Sequence, residues 1–400
     1  MTFDADVLVV GGGLVGQSLC AALEGSPLRV AQVEAEPPRA ADAPRWDERN
    51  FALARRSVQS LARWGAWPHA AAQAHPIVEV HASSRGEFGA VRVRADECGV
   101  DSLGHTVPAR AVGTALARRL ADCRTVQRLA PMRLAALAFD DDGVTATLDG
   151  ADGPRALRVR LVVGADGTAS AVRACAGIGT ETRDYGQTAI VCTIGARGAP
   201  DGRAFERFTD SGPFALLPLG DERLGMVWTV PAADAEALLA LDDAAFLDAA
   251  QERFGRRAGR FLRVGRRQPW PLRLTRAQRV AGERVLLVGN AAQTIHPIGA
   301  QGFNLGLRDV EALAAMLADA AAHGADPGAA DRLAALAAAR EADRSATIRL
   351  SDGLARAFLP KALPLRLLRG AALAVLDRVP PLKRDLAWSM MGWRALADRP

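Results

Sequence analysis

The chain has 400 residues, 49% of them apolar and 24% charged, a balance that suits one large globular unit of two or three subdomains and excludes global disorder. Its five cysteines (Cys20, Cys98, Cys123, Cys175 and Cys192) are scattered, odd in number and without a C-x-x-C pair; neither a disulfide framework nor a metal site follows from them, and a reducing cytoplasm fits best. The net charge of +5 is unevenly placed: residues 340–400 alone carry 12 Lys/Arg against six acids, so the basic excess belongs to the tail, and no nucleic-acid partner is expected.

The N-terminal MTFDADVLVVGGG lacks the basic segment and cleavage site of a signal peptide. No apolar run approaches the ~20 residues of a membrane span. Val7-Leu8-Val9-Val10 is a continuous apolar run, as a buried parallel strand requires. A glycine loop follows. Leu14 to Leu23 then predicts a helix stopped by Gly25-Ser26-Pro27, and Leu28 to Val33 a second strand ending at Glu34. Residues 50–64 and 109–121 predict amphipathic helices. From 126 to 163 and from 185 to 230 the pattern changes to short β-prone segments between turns. Val285 to Val288 is another buried-strand run, followed by a loop, an Ala-rich helix over about 304–322 and helix over 331–358. Pro360, Pro364, Pro380 and Pro381 are expected to break the tail into short helices.

Three stretches carry chemistry. The first is Gly11-x-Gly13-x-x-Gly16. Gly11 permits a tight turn, Gly13 lets the backbone approach a pyrophosphate, and Gly16 lets strand and helix pack closely. The free N–H groups of Leu14 and Val15 at the helix start favour an anion, and Glu34 stands where ribose hydroxyls are held. This is a dinucleotide site, and the loop alone does not separate FAD from NAD. The second is Gly164-Ala165-Asp166-Gly167, with Ser170 and Arg173 beyond it; by itself it reads as an ordinary Asp-Gly turn. The third runs from Gly289 and Asn290 through His296, Pro297 and Gly299 to Gln301, Gly302, Phe303 and Asn304. It links a buried strand to a long helix, and its backbone N–H groups suit an anion or a polarised carbonyl.

In this order the three stretches resemble the p-hydroxybenzoate hydroxylase-like family of FAD monooxygenases. Asn290 stands where most members have Asp, and Gly299-Ala300 where they usually have Ala-Gly; Ala300 is expected to resist positive φ. Further stretches look like the ubiquinone-biosynthesis hydroxylases: Asp47-Glu48-Arg49-Asn50-Phe51-Ala52-Leu53, Asp184-Tyr185-Gly186-Gln187, Phe205-Glu206-Arg207-Phe208 and Gly212 to Leu219. Gln301 to Asp309 and Pro380 to Gly392 match as well. The Gly289 to Thr294 version is most similar to members that hydroxylate 2-polyprenyl-6-methoxyphenol.

The resemblance implies an α/β architecture. A Rossmann-like, three-layer FAD-binding domain with a parallel sheet (1–75, 100–180 and 280–335) would interleave with a mostly antiparallel substrate-binding sheet (76–99 and 181–279), followed by a helical C-terminal region (336–400). It implies that Gly11, Gly13, Leu14, Val15, Gly16 and Glu34 hold the ADP half, that Arg49 and Arg110 meet phosphate or ribityl groups, and that Asp166 and Asn290 face the pyrophosphate and ribityl. Pro297 and Gln301 to Asn304 would lie against the flavin ring. His296 is either a catalytic base or a loop-orienting residue; Tyr185 either touches substrate or packs in a strand. Phe214, Leu216, Leu217 and Trp228 are either the apolar wall of a substrate pocket or plain core.

The implied reaction uses NAD(P)H as a transient reductant and O2, and hydroxylates a polyprenylated phenol in ubiquinone biosynthesis through a flavin hydroperoxide. The alternatives are a hydroxylase of a soluble aromatic and a non-catalytic FAD-binding subunit of a quinone-biosynthesis complex. Residues 355–378 fit either a basic segment lying on the inner face of the cytoplasmic membrane or a helix packed on the core.

Overall fold

The fold comes from a computed structural model that describes residues 2–37, 49–357 and 363–393, with the side chains of 356, 357 and 363–365 excepted. Asp47, Glu48, Lys361, Arg394 and Arg399 lie outside the described residues.

Five strands form the parallel centre of an eight-stranded sheet, in the order Val285–Leu287, Gly153–Gly164, Ala5–Val10, Val30–Val33 and Val126–Leu129. Val7, Leu8 and Val9 are fully buried, because both sheet faces are covered and each face needs apolar side chains. On one side lie the helices Leu14–Leu23, Ala109–Ala121 and Gln301–Ala322, whose Leu19, Leu116 and Leu313 pack against Val7, Val9 and Val163. On the other side the antiparallel strands Met132–Phe139 and Val144–Gly150 extend the sheet, and Leu148 packs with Leu8 and Val162.

A second, nine-stranded sheet is antiparallel except where Arg203–Thr209 runs parallel to Glu79–Ser84. Its long strand Thr180–Arg197 pairs with Arg223–Pro231 on one side and Gln268–Ala277 on the other. The helices Ala232–Ala240 and Asp243–Phe254 cover one face. The last strand, Ala90–Arg94, lies against the C-terminal helix Leu363–Arg378.

One expectation needs correction. Residues 50–64 are not one helix: Asn50–Ala54 is a strand paired with Gly104–Pro108, and helix begins at Arg55. Apolar Phe51-Ala52-Leu53 satisfies either period over so short a run, and the available partner strand decides. The tail is divided into short helices as expected, with the described prolines at the helix starts; Pro360 lies outside the described residues. Pro364 lies in the first turn of Leu363–Arg378, and Pro380 and Pro381 open Pro380–Met390, where a missing N–H costs nothing.

Helices Gln301–Ala322 and Ala330–Ala357 are joined by buried charges. Arg308, 4% exposed, donates to Asp343 at 2.8 Å; Arg340 donates to Asp309 at 3.0 Å and to Asp343 at 2.7 Å. Burial pushes both carboxyls up. For Asp309 burial prevails, whereas the two guanidiniums on Asp343 overcome it and hold its pKa at about 2. The folded value lies below the ordinary one, so the stability this group supplies is complete above about pH 4 and is lost as the pH falls through about 2. Asp343→Asn, which leaves the Arg308 guanidinium buried without its counter-charge while Arg340 keeps Asp309, is expected to cost about 3 kcal/mol in urea unfolding at pH 7. A cost under about 0.5 kcal/mol would show the pair to be screened like an exposed one.

Candidate active site

The loops at the carboxyl ends of three adjacent parallel strands meet above the first sheet. Gly11 N–H donates to Val33 O at 2.8 Å, Ala165 N–H to Val10 O at 2.8 Å and Val288 N–H to Gly164 O at 2.9 Å. The glycine loop is close-packed: a Cβ on Gly11, at φ +115°, would lie 2.5 Å from the Ala165 carbonyl oxygen, and one on Gly16 would lie 2.0 Å from the Gly11 carbonyl oxygen. Gly13, the residue before helix Leu14–Leu23, has nothing within 4 Å of its Cβ position. The helix start is therefore open to an incoming group while its flanks are closed.

Glu34 curls over this loop, accepting Gly12 N–H at 2.5 Å and Glu36 N–H at 2.9 Å. Asp166 accepts Ser170 O–H at 2.6 Å and Val172 N–H at 3.1 Å, so its carboxylate also braces the turn. Arg173, which the sequence marks only as a neighbour of that turn, joins two motifs: it donates to Ala291 O at 2.9 Å and to Thr168 O at 2.8 Å, beside a Thr168–Thr294 hydroxyl contact at 2.7 Å.

One cavity of about 1420 Å³ runs through the molecule. It is lined by Gly11, Gly13, Leu14, Val15 and Glu34, then by Asp166 and Asn290, and then by Arg49, Pro297, Gln301, Gly302, Phe303 and Asn304. Arg49 lies over the Trp270 ring at 4.7 Å and the Phe51 ring at 5.8 Å, and Phe51 meets Phe303 at 5.1 Å. Asn304 is buried with its amide engaged: Oδ1 accepts Ala54 N–H at 2.9 Å, and Nδ2 donates to Ala52 O and Ala300 O, both at 2.8 Å. It positions the loop and offers no group to the cavity.

The other candidates lie elsewhere. Gly16 is in the strand–helix crossing. Arg110 is exposed at the start of its helix and donates to Gln73 at 3.2 Å, away from the cavity lining. Phe214, Leu216 and Trp228 point from the second sheet to the helix-covered face, where Phe214 stacks on Trp228 at 5.2 Å and meets Phe254 at 5.2 Å. Strand alternation gives the opposite face to Ala189, Val191, Ala215, Leu217 and Val227, which do line the cavity. Of the expected wall, only Leu217 is there. Ala189, Val191, Ala215 and Val227 are small, and Phe214 and Trp228 fill the other face; that difference helps to leave the space open.

His296 is 1% exposed and outside the lining. Its Nδ1 accepts Ile298 N–H at 3.3 Å, its carbonyl accepts Ser351 O–H at 2.9 Å, and its ring meets Tyr185 edge-on at 5.1 Å. Burial lowers its pKa to about 4 against the opposing pull of Asp352, so it is neutral at physiological pH and serves the loop. Tyr185 donates to Asp352 at 3.2 Å and is likewise absent from the lining.

Glu206, inconspicuous in the sequence between Phe205 and Arg207, does line the cavity. It accepts the backbone N–H of Gly299, and burial raises its pKa to about 7.

A dinucleotide-sized trough that begins at an open helix N-terminus and continues onto an antiparallel sheet with room for a ring defines an FAD-dependent aromatic monooxygenase. Residues 4–343 match the family model described as FAD binding domain. Ubiquinone hydroxylase UbiL of Rhodospirillum rubrum is 40% identical over 330 residues, 82% of this chain and 76% of that protein. The 3-demethoxyubiquinol 3-hydroxylase of Escherichia coli is 33% identical over 322 residues, 80% of this chain and 81% of that protein. The crystal structure of p-nitrophenol 4-monooxygenase PnpA from Pseudomonas putida superposes with a TM-score of 0.79 at 19% identity, covering 99% of this chain and 100% of that one, which shows the shared fold. The chain belongs to the FAD-binding-domain family.

Gly299 (φ +66°) and Ala300 (φ +52°) are both left-handed. The expected resistance of Ala300 is thus overcome by the turn into helix Gln301–Ala322, with the Ala300 carbonyl held by Asn304. A left-handed alanine costs roughly 1 kcal/mol. Ala300→Gly is expected to raise the unfolding free energy by about that amount, read from denaturant midpoints, with FAD content unchanged. A lower midpoint would show that the methyl packs usefully.

Proposed function

We propose that the protein hydroxylates the ring of a polyprenylated phenol, a quinone precursor, with NAD(P)H as reductant and O2 as oxidant. One observation carries the substrate class: beyond the stretch from Arg49 to Phe303 the cavity continues as an apolar limb. Val80, Ala82, Val91 and Val93 form its floor, and Leu373, Leu376, Leu386 and Met390 of the C-terminal helices form its roof. The cavity of about 1420 Å³ has to hold the cofactor as well as a substrate, and small-molecule pockets usually enclose about 300–1,000 Å³.

In this reading the Leu14–Leu23 helix start receives the pyrophosphate and Glu34 the adenosine ribose. Asn290 and Asp166 flank the ribityl chain, and the 299–303 backbone meets the flavin ring. FAD, when bound, would supply an electrophilic oxygen drawn from O2 at the expense of NAD(P)H. The protein's part is to seat the ring against it and keep water out. Ala189, Val191, Ala215 and Val227 make that dry floor.

The C-terminal helices suit a lipid-borne substrate. Among the described residues no helix is long and apolar enough to cross a membrane, yet Leu367, Leu368, Val375 and Leu382 are more than half exposed, with Arg378 and Arg384 exposed beside them. Arg366 and Arg369 are spent on Glu87, and Lys383 on Glu97. We infer that this face rests on an anionic membrane surface. Co-sedimentation with phosphatidylglycerol vesicles but not with phosphatidylcholine vesicles is the expected result; no binding to either would remove the inference.

The substrate reading is tested by comparing phenols that differ only in prenyl length. Each isoprene unit seated in the limb is worth about 2–3 kcal/mol, so kcat/KM for product formation should rise ten-fold or more per unit for the first units. Leu376→Trp should abolish that gain while sparing the bare phenol. Equal turnover of bare and prenylated phenols would favour a soluble aromatic substrate instead.

A further inference from the structure

Glu206 is the ionisable side chain that the cavity's sheet wall presents at the flavin loop, and its setting is unlike that of a surface carboxylate. It lies on the strand Arg203–Thr209, opposite Ala82 on one side and Ala215 on the other. Neither neighbour carries a polar group. The arginines next to it in sequence, Arg203 and Arg207, point through the sheet to the other face, where Arg203 pairs with Glu79 at 3.0 Å and Arg207 with Ser83 at 3.2 Å. The 298–300 turn packed against it is uncharged and supplies one backbone donor, Gly299 N–H. The strand Asn50–Ala54 and the helices of the roof place apolar side chains and the Asn50 amide on the cavity. The charged residues that share the lining are Glu34, Arg133, Asp166 and Arg173 at the dinucleotide end, together with Arg49, stacked on Trp270, and Arg273, paired with Asp184 at 3.0 Å. Among the described residues no cation neutralises Glu206; its raised pKa has burial as its cause and only the Gly299 donor opposing it.

A carboxylate maintained without a counter-charge, at the seam between the sheet that floors the cavity and the loop that meets the flavin, is costly to fold. The geometry points to Glu206 as the group that hydrogen-bonds the hydroxyl of the bound phenol and accepts its proton. This assignment rests on the function proposed above. In the step the phenolic O–H bond breaks, its electron pair stays on the phenol oxygen, and an O–H bond forms on the Glu206 carboxylate. The ring carbons ortho and para to the oxygen become electron-rich and thus reactive toward an electrophilic oxygen. The proton passes from Glu206 to solvent when product departs and water enters the cavity. A base of ordinary carboxylate strength would be too weak to draw a proton from a phenol, whose pKa lies near 10; burial raises its basicity toward the operating pH, where general bases are most effective.

The test uses the purified FAD-loaded enzyme, its E206Q and E206D variants, and 4-nitrophenol as a probe whose colour reports its ionisation without turnover. FAD content matching wild type certifies each variant as folded. Wild type should bind the probe with a larger ionised fraction than free probe has at the same pH. E206Q should bind it neutral, and E206D should restore part of the shift. With a turned-over phenol, E206Q should lose about 100-fold in product formation at pH 7, and the acid limb of the pH profile near 7 should vanish. Equal probe spectra for wild type and E206Q, or an unchanged pH profile, would overturn the assignment. Ionisation of the probe by a wild-type enzyme that hydroxylates no prenylated phenol would support the Glu206 assignment while refuting the substrate reading alone.

Discussion

Everything at this site depends on the register of three parallel strands. Ala5–Val10 lies between Gly153–Gly164 and Val30–Val33, and Val285–Leu287 flanks the group. Parallel neighbours in register end at the same level, so their outgoing loops converge although up to 280 residues separate them. Open α/β sheets bind ligands at this carboxyl edge for that reason. One consequence is the close approach of Gly11 to the Ala165 backbone, where an added Cβ would lie 2.5 Å from the carbonyl oxygen. A side chain at Gly11 would push the first loop off the second and separate the helix start from the Asp166 turn that Arg173 ties to the third loop.

The parallel layer and its glycine loop were legible because their signals are local. A continuous apolar run, three spaced glycines and a helix ending at a glycine need no partner to be recognised. Helix Ala109–Ala121 was read to the residue for the same reason. The second sheet was legible as strands but not as faces. Gly212–Gly220 is apolar at nearly every position, Phe214 and Leu216 as much as Ala215 and Leu217, so alternation carries no sign of which side is buried by helices and which encloses a cavity. What packs opposite separates the two faces, helices against Phe214 and Leu216 and open space against Ala215 and Leu217, and no residue of the strand itself records it. Glu206 was hidden by the same ambiguity: beside Arg207 it resembles a solvated pair, yet adjacent residues of a strand face opposite ways.

Among the described residues, much of the tail's basic excess is likewise paired within the molecule. Arg340 binds Asp309 across the seam of the two long helices, Arg344 binds Glu341 within the second of them, and Arg366, Arg369 and Lys383 fasten the last helices to Glu87 and Glu97. Such pairs fix where the C-terminal helices lie over Ala90–Arg94, while Leu373 and Leu376 supply the apolar contact. Gly370 allows the approach, since a Cβ there would lie 2.6 Å from the Phe88 carbonyl oxygen. The roof of the apolar limb is thereby a docked element, and the limb exists only while it stays docked.

The departures in the late loop gain meaning from their surroundings. Gly299 and Ala300 form two successive left-handed residues, a conformation that isolated chains avoid. It persists because Asn304 grips Ala300 O from within the helix and Ala52 O and Ala54 N–H from the strand. That strand begins beside Arg49, and the turn it stabilises aims Gly299 N–H at Glu206. His296, neutral and buried, holds the preceding segment through Ile298 N–H. The strain therefore has a definite use: it presents a backbone donor to an otherwise uncompensated carboxylate, and it couples the placement of the loop to the protonation state of the sheet wall it faces.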